Sequence, residues 1–339
     1  MLKDYGRTAI IAGEHRISFN EILLRVDLFK KSLSVGRGEK CLILSENREG
    51  WIYALYSIWQ QGGIAVPVDA TSTAHDIAYI LKDSQPASIW TSRNKSDIVN
   101  AALKEAEIEV KICLIDDFER VDLNETGHIL QPATFTPKIL DETCLIIYTS
   151  GTTGNPKGVM LSFWNILAVI KAVSEDVEII TPDRRVLILL PLHHILPLVG
   201  TVLAPMKSGG GVTICPSMAA PDLMATLKNG EVDIIVGVPR LWQTIYNGVM
   251  KVINDNLDNP ELSVEIIADK VGISRVHFYR KMKDLTGQAP REFQDNCGLG
   301  QSARNPLRWC RCRREGPFRQ ASSPSNRPPC RSPPATHSC

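Results

Sequence analysis

Eleven residues behind an apolar run read YTSGTTGNPKG, Tyr148 to Gly158, and concentrate the groups that hold an anion. Thr149, Ser150, Thr152 and Thr153 offer hydroxyl donors, and Lys157 adds a positive charge. Gly151, Gly154 and Gly158 let the main chain close around a ligand with successive N–H groups turned inward. Together they suit a polyphosphate. The spacing departs from GxxxxGK[ST], because Pro156 precedes Lys157 and Gly158 follows it, which argues against a P-loop NTPase. Without a ligand the same residues make an ordinary Gly/Thr-rich turn. Farther on, LPLHHILP places His193 and His194 side by side. Taken alone, His194 reads as a satisfied core histidine and His193 has no assignment.

These groups need a scaffold, and residues 17–250 alternate helical and strand patterns. Ser18 is a plausible N-cap for a helix whose apolar residues Ile22, Leu23, Val26, Phe29 and Leu33 recur at helical spacing. KCLILSE is a short buried strand, and WIYALYSIWQQG returns to helix and stops at Gly62. IAVPVD is strand, TAHDIAYILKDS helix, and ASIWTS and VKICLID strands; CLIIYTS, RVLILLP, GVTICP and VDIIVGVP add four more candidates. This order predicts βαβ units on a mostly parallel sheet with covered faces, in an α/β domain over residues 1–250. The loop at Thr149 then falls at the carboxyl edge of a sheet, where α/β proteins usually bind ligands. The most apolar stretch, Val186 to Met206, is interrupted by Pro191, Pro197 and Pro205, so we read it as strand, turn and short helix rather than a membrane span.

With 339 residues and 44% hydrophobic content, the chain has room for two ordinary domains or one large domain with appendages. The formal charge of +1 is unevenly spread: Gln294 to Cys339 holds eight Arg and no Lys against one Asp and one Glu, so the remainder is mildly acidic. Cys41, Cys113, Cys144 and Cys215 are scattered and read as reduced cytosolic thiols. The first residues carry no long apolar stretch of the secretory kind, so a cytoplasmic location is expected.

A second pattern follows in 251–293. LSVEIIADKVGISRVHFYRKMKDLTG reads as two short helices around Gly272, with Val264, Ile267, Ala268 and Val271 facing Phe278, Met282 and Leu285. This small all-α unit has a helix-turn-helix pattern, and Arg275, Tyr279, Arg280 and Lys283 are placed to meet a DNA groove. The alternative is a solvated basic face on an ordinary helical hairpin. Residues 294–339 hold seven Pro, six Ser and no Ile, Val or Lys, a composition that predicts a disordered tail. Cys310 and Cys312 lack a second pair at zinc-ligand spacing, so no metal site is expected there.

The spelling of both units is more specific than their composition. YTSGTTGNPKGVMLS, with LPLHHILPLVGTVLAPMKSGG and IIVGVPRLWQTIYNGV in the same order, resembles the acyl-adenylate-forming (AMP-binding) superfamily, and most of all its long-chain fatty acyl-CoA synthetases. That resemblance implies ATP-dependent activation of a fatty acid to acyl-AMP and then acyl-CoA, with ATP, Mg²⁺ and coenzyme A as cofactors. It implies that Thr149, Ser150, Gly151, Thr152, Thr153, Gly154 and Lys157 contact the ATP phosphates, and that His194 packs beside the acyl carboxylate. It covers the first half of such an enzyme. The adenine-stacking and ribose-binding elements and the lysine-bearing small domain found later in such enzymes have no counterpart after Met250, so this chain is expected to be a truncated domain without acid-dependent ATP–pyrophosphate exchange. Residues 260–293 resemble the first helix-turn-helix of AraC/XylS-type regulators, in which Val276, Tyr279 and Arg280 would read bases. One module without its twin implies weak, salt-dependent DNA binding through 261–293. The abrupt changes near Lys251 and Gln294 also fit a product of two joined genes, the second continued out of frame.

Overall fold

A computed structural model describes residues 1–243 apart from 128, 133, 150–155 and 240. The expected helix-turn-helix over 251–293, with Arg275, Val276, Tyr279, Arg280 and Lys283, and the expected tail over 294–339 lie outside the described residues.

The chain opens with an antiparallel hairpin, β1 (Thr8–Ala12) and β2 (His15–Ser18), which turns at Gly13 with φ of +63°. That conformation favours glycine. The Ser18 hydroxyl then accepts the Glu21 N–H at 3.1 Å and starts α1 (Phe19–Ser32), whose Ile22, Leu23, Val26 and Phe29 are buried as their spacing predicts. Next come β3 (Lys40–Leu44), α2 (Glu49–Gln60), β4 (Ile64–Val68), α3 (Ala74–Ser84), β5 (Ser88–Thr91), α4 (Ser96–Ala106) and β6 (Lys111–Leu114). Strand and helix alternate because period-2 or uniformly apolar stretches alternate with amphipathic ones. Unlike the amphipathic α3 and α4, α2 is buried from Glu49 through Trp59 and packs into the main core shared with residues of β1, β3 and β10. An all-round apolar helix needs protein on every side.

β7 (Thr143–Thr149) and β8 (Lys157–Ser162) complete a six-stranded sheet of order β6-β5-β3-β4-β7-β8, parallel except for the β7–β8 pair. The chain continues through α5 (Phe163–Lys171), β9 (Arg185–Ile188), α6 (Ile195–Pro197), α7 (Ala204–Ser208), β10 (Gly211–Ile214), α8 (Ala220–Asn229) and β11 (Ile234–Ile235). A second, five-stranded sheet has the order β11-β9-β10-β1-β2, parallel except for the opening hairpin.

The mostly parallel α/β reading holds, with four differences. One expected sheet is two, because β1 returns to pair with β10, a partner some two hundred residues later, rather than with β3. The hairpin β1–β2 and the strand KGVMLS differ from that reading; β2 and β8 are edge strands that pair with the strand just before them in the chain. VDIIVGVP shrinks to Ile234–Ile235. The short helix after His194 instead continues from α6 through a π-helical stretch, Leu198–Leu203, into α7. Pro197 falls in the first turn, where its missing N–H costs nothing, and the widened stretch precedes Pro205, which cannot donate to a carbonyl one turn back.

Candidate active site

The hairpin β7–β8 fixes both ends of the glycine-rich loop. Thr149 pairs with Lys157 and Tyr148 with Gly158, and the Thr149 and Lys157 side chains are exposed at the mouth. Ser150, Gly151, Thr152, Thr153 and Gly154 lie outside the described residues. Gly158 is dictated by what lies beneath it: a Cβ there would sit 2.9 Å from Ile146 Cγ2 and 3.2 Å from Tyr148 Cζ. The Tyr148 ring occupies that space, and its hydroxyl donates to the Asp83 carboxylate of α3. Burial, and then Asp83, push the phenol well above its ordinary pKa, so it remains a donor.

A neighbouring strand brings a second group to the same edge. β4 runs parallel to β7 with Ala65 opposite Leu145, and carrying that register to the strand ends places Asp69 level with Thr149. Asp69 Oδ1 accepts the Thr71 N–H and hydroxyl, each at 2.8 Å, in an Asx turn. Asp69 Oδ2 lies 3.7 Å from Nε2 of His193. Burial would raise the Asp69 carboxyl, but the Thr71 donors and the two imidazoles outweigh it and hold it below its ordinary value.

The histidines arrive from the other sheet, on the turn between β9 and α6. Asn47, just past the end of β3, grips that turn: its amide donates to Leu190 O at 2.9 Å and its Oδ1 accepts Leu192 N–H at 3.1 Å. His193 is buried, and burial together with His194 outweighs Asp69 and lowers its pKa to about 4. It is therefore neutral at pH 7. His194 caps α6 through its backbone, its carbonyl accepting Leu198 N–H at 3.1 Å, and its side chain is exposed with its ring centroid 4.0 Å from that of His193. Ile195 and Leu196 beside it are 39% and 53% exposed, an apolar rim next to an imidazole.

The Asp69–His193 approach brings the turn that carries His194 to the carboxyl end of β4, and the β4–β7 register puts Thr149 and its partner Lys157 at the neighbouring strand end. Sequence reading missed Asp69 and Asn47 and left His193 unassigned. The Asp69–Thr71 spacing is an Asx-turn signal that could have been noticed; Asn47 carried none, since its partner is 143 positions away. Among the described residues no cluster of three or more His, Cys, Asp or Glu could hold a metal ion, and Cys41, Cys113, Cys144 and Cys215 are free thiols. Among the described residues no helix is long and apolar enough to cross a membrane.

Two mostly parallel sheets, one of them ending at the hairpin that carries Thr149 and Lys157, define an α/β domain. The chain belongs to the AMP-binding enzyme family, whose sequence model matches residues 2–289, a span that also takes in most of 251–293. It is 24% identical over 287 residues to the mitochondrial malonate–CoA ligase of Homo sapiens, covering 80% of this chain and 48% of that protein. It is 28% identical over 225 residues to a long-chain-fatty-acid–CoA ligase of Mycobacterium tuberculosis, covering 64% of this chain and 37% of that one. The solved O-succinylbenzoate coenzyme A synthetase of Bacillus subtilis, in complex with AMP, superposes with a TM-score of 0.61 at 25% identity over 73% of this chain and 61% of its own. The chain spans about half the length of the curated relatives it matches.

Proposed function

We propose that this chain is the part of an ATP-dependent carboxylic acid–CoA ligase that grips the nucleotide phosphates and the acyl group, with a fatty acid as the acyl donor. The observation that carries this reading is the meeting of the β7–β8 hairpin and the His194 turn at one sheet edge. In the reaction an acid carboxylate attacks the α-phosphorus of ATP, pyrophosphate leaves, and the thiol of coenzyme A then displaces AMP from the acyl carbon. Lys157 and the Thr149 hydroxyl, with the amides of the loop between them, would neutralise phosphate oxygens that otherwise repel the incoming carboxylate. Fixed donors at a strand end suit that role because they need no reorganisation. The exposed Lys157 and Thr149 fit an anion such as a magnesium-bound polyphosphate. When bound, Mg²⁺ supplies further charge neutralisation on the phosphate oxygens. His194 offers an imidazole to the acyl carboxylate, and the exposed Ile195 and Leu196 support an aliphatic rather than a charged acyl chain.

Calorimetric titration of the full chain with pyrophosphate and Mg²⁺ tests this. Lys157→Ala should weaken binding by roughly ten- to a hundredfold, the worth of one charge-assisted hydrogen bond. Equal binding by wild type and variant would sink the assignment.

A further inference from the structure

We propose that Asp69 and His193 act as a positioning pair that orients the turn carrying His194 over the carboxyl edge of β4 and β7; this rests on reading that edge as the acyl-adenylate site. Three observations meet here. His193 is buried, so it acts on a ligand only through its neighbours, and one of these is the exposed ring of His194, its centroid 4.0 Å away. The atom it turns to Asp69 is Nε2, and the two Thr71 donors on Oδ1 stop that carboxylate from swinging away. Asn47 holds the backbone on the N-terminal side of the same turn, so the residual freedom of the histidines is rotation of the rings.

The chemistry follows from protonation. A neutral imidazole has one N–H, and an ionised carboxylate 3.7 Å from Nε2 draws the proton to that nitrogen, leaving Nδ1 with its lone pair. The groups that set this balance are Asp69, from the β4–α3 connection, and His194, from the turn itself. The carboxylate favours the cation and burial opposes it, and burial wins. The result is a ring with a fixed tautomer against which His194 packs. A turn held solely by packing would need no carboxylate there, and an aliphatic side chain at 193 would serve.

Asp69→Asn in the full chain separates these cases, because it keeps the shape and can still accept from Thr71 but removes the charge. Imidazole nitrogen NMR should show the Nε2–H tautomer of His193 dominant in wild type and eroded in the variant. Affinity for octanoate, a carboxylate that needs no nucleoside pocket, should fall on the order of tenfold, as expected when a contacting group is misplaced rather than removed. Thr71→Val, which removes the hydroxyl donor but leaves the backbone N–H on Asp69 Oδ1 and the charge intact, should show a smaller loss in the same direction and serves if Asp69→Asn does not fold. An unchanged tautomer and affinity in the variants, with tight wild-type binding, overturns the pair and leaves the ligase reading standing. No wild-type binding of octanoate overturns both.

Discussion

His193 makes the stability of this fold depend on pH in a window set by its own shift. Its imidazole has a pKa of about 4 in the fold against 6.5 for an unperturbed histidine. Between those values the unfolded chain binds more protons than the native one, so stability is fully present above 6.5 and falls as pH drops towards 4. Asp69, also shifted down, adds a loss only below the ordinary carboxylate range. Urea unfolding at pH 7 and pH 5 should therefore show a drop for wild type that is smaller in His193→Asn; parallel drops would refute the assignment. The importance of this residue was invisible in LPLHHILP, because two adjacent histidines look alike until burial separates them. His194 was singled out by its place in a family spelling, and the fold leaves its side chain exposed beside the buried ring.

The hairpin β7–β8 presents the loop through a close contact between strands. Gly158 crosses the Tyr148 ring, and the Tyr148 hydroxyl is tied to Asp83 on α3. Gly158→Val would drive a Cβ to 2.9 Å from Ile146 and add two methyl groups. We expect a loss of about 1–3 kcal/mol in urea unfolding from overpacking, and weaker pyrophosphate binding, since Lys157 moves with its neighbour. Unchanged stability and binding would mean the hairpin yields without cost. The glycine was legible as part of an anion loop, but its second role was not. KGVMLS pairs across a turn whose residues look like ligand-binding backbone, so the strand was hidden by the loop. By contrast, α1 could be read directly, because Ser18 caps it within three residues.

At the scale of the molecule, Asn47 and the Asp69–His193 pair are polar links between the two sheets at the site. Asn47 ties the carboxyl end of β3 to the turn after β9 through two backbone hydrogen bonds. Asn47→Ala leaves Leu190 O and Leu192 N–H without those partners, at a cost of about 1–3 kcal/mol. Hydrogen exchange at the Leu192 amide should accelerate more than at the amides of β3. Equal exchange in wild type and variant would show that the latch carries no strain from one sheet to the other. The same contact explains why residues from distant parts of the chain share one edge: β3, β4 and β7 end together, and the smaller sheet delivers its turn to them.

Local chemistry was readable before any coordinates. The alternation of apolar periods, the cap of α1, and the run of glycines, hydroxyls and lysine at 148–158 are set by neighbours within a few residues, where steric and hydrogen-bonding preferences act directly. The division into two sheets, the burial of His193 beside an exposed His194, and the roles of Asp69 and Asn47 came from strand order. Those features depend on which strands share a core, and the contacts that select them close loops of more than a hundred residues. No short stretch of sequence records such a choice, because the free energy that makes it is the burial of surfaces brought together only when the sheets assemble.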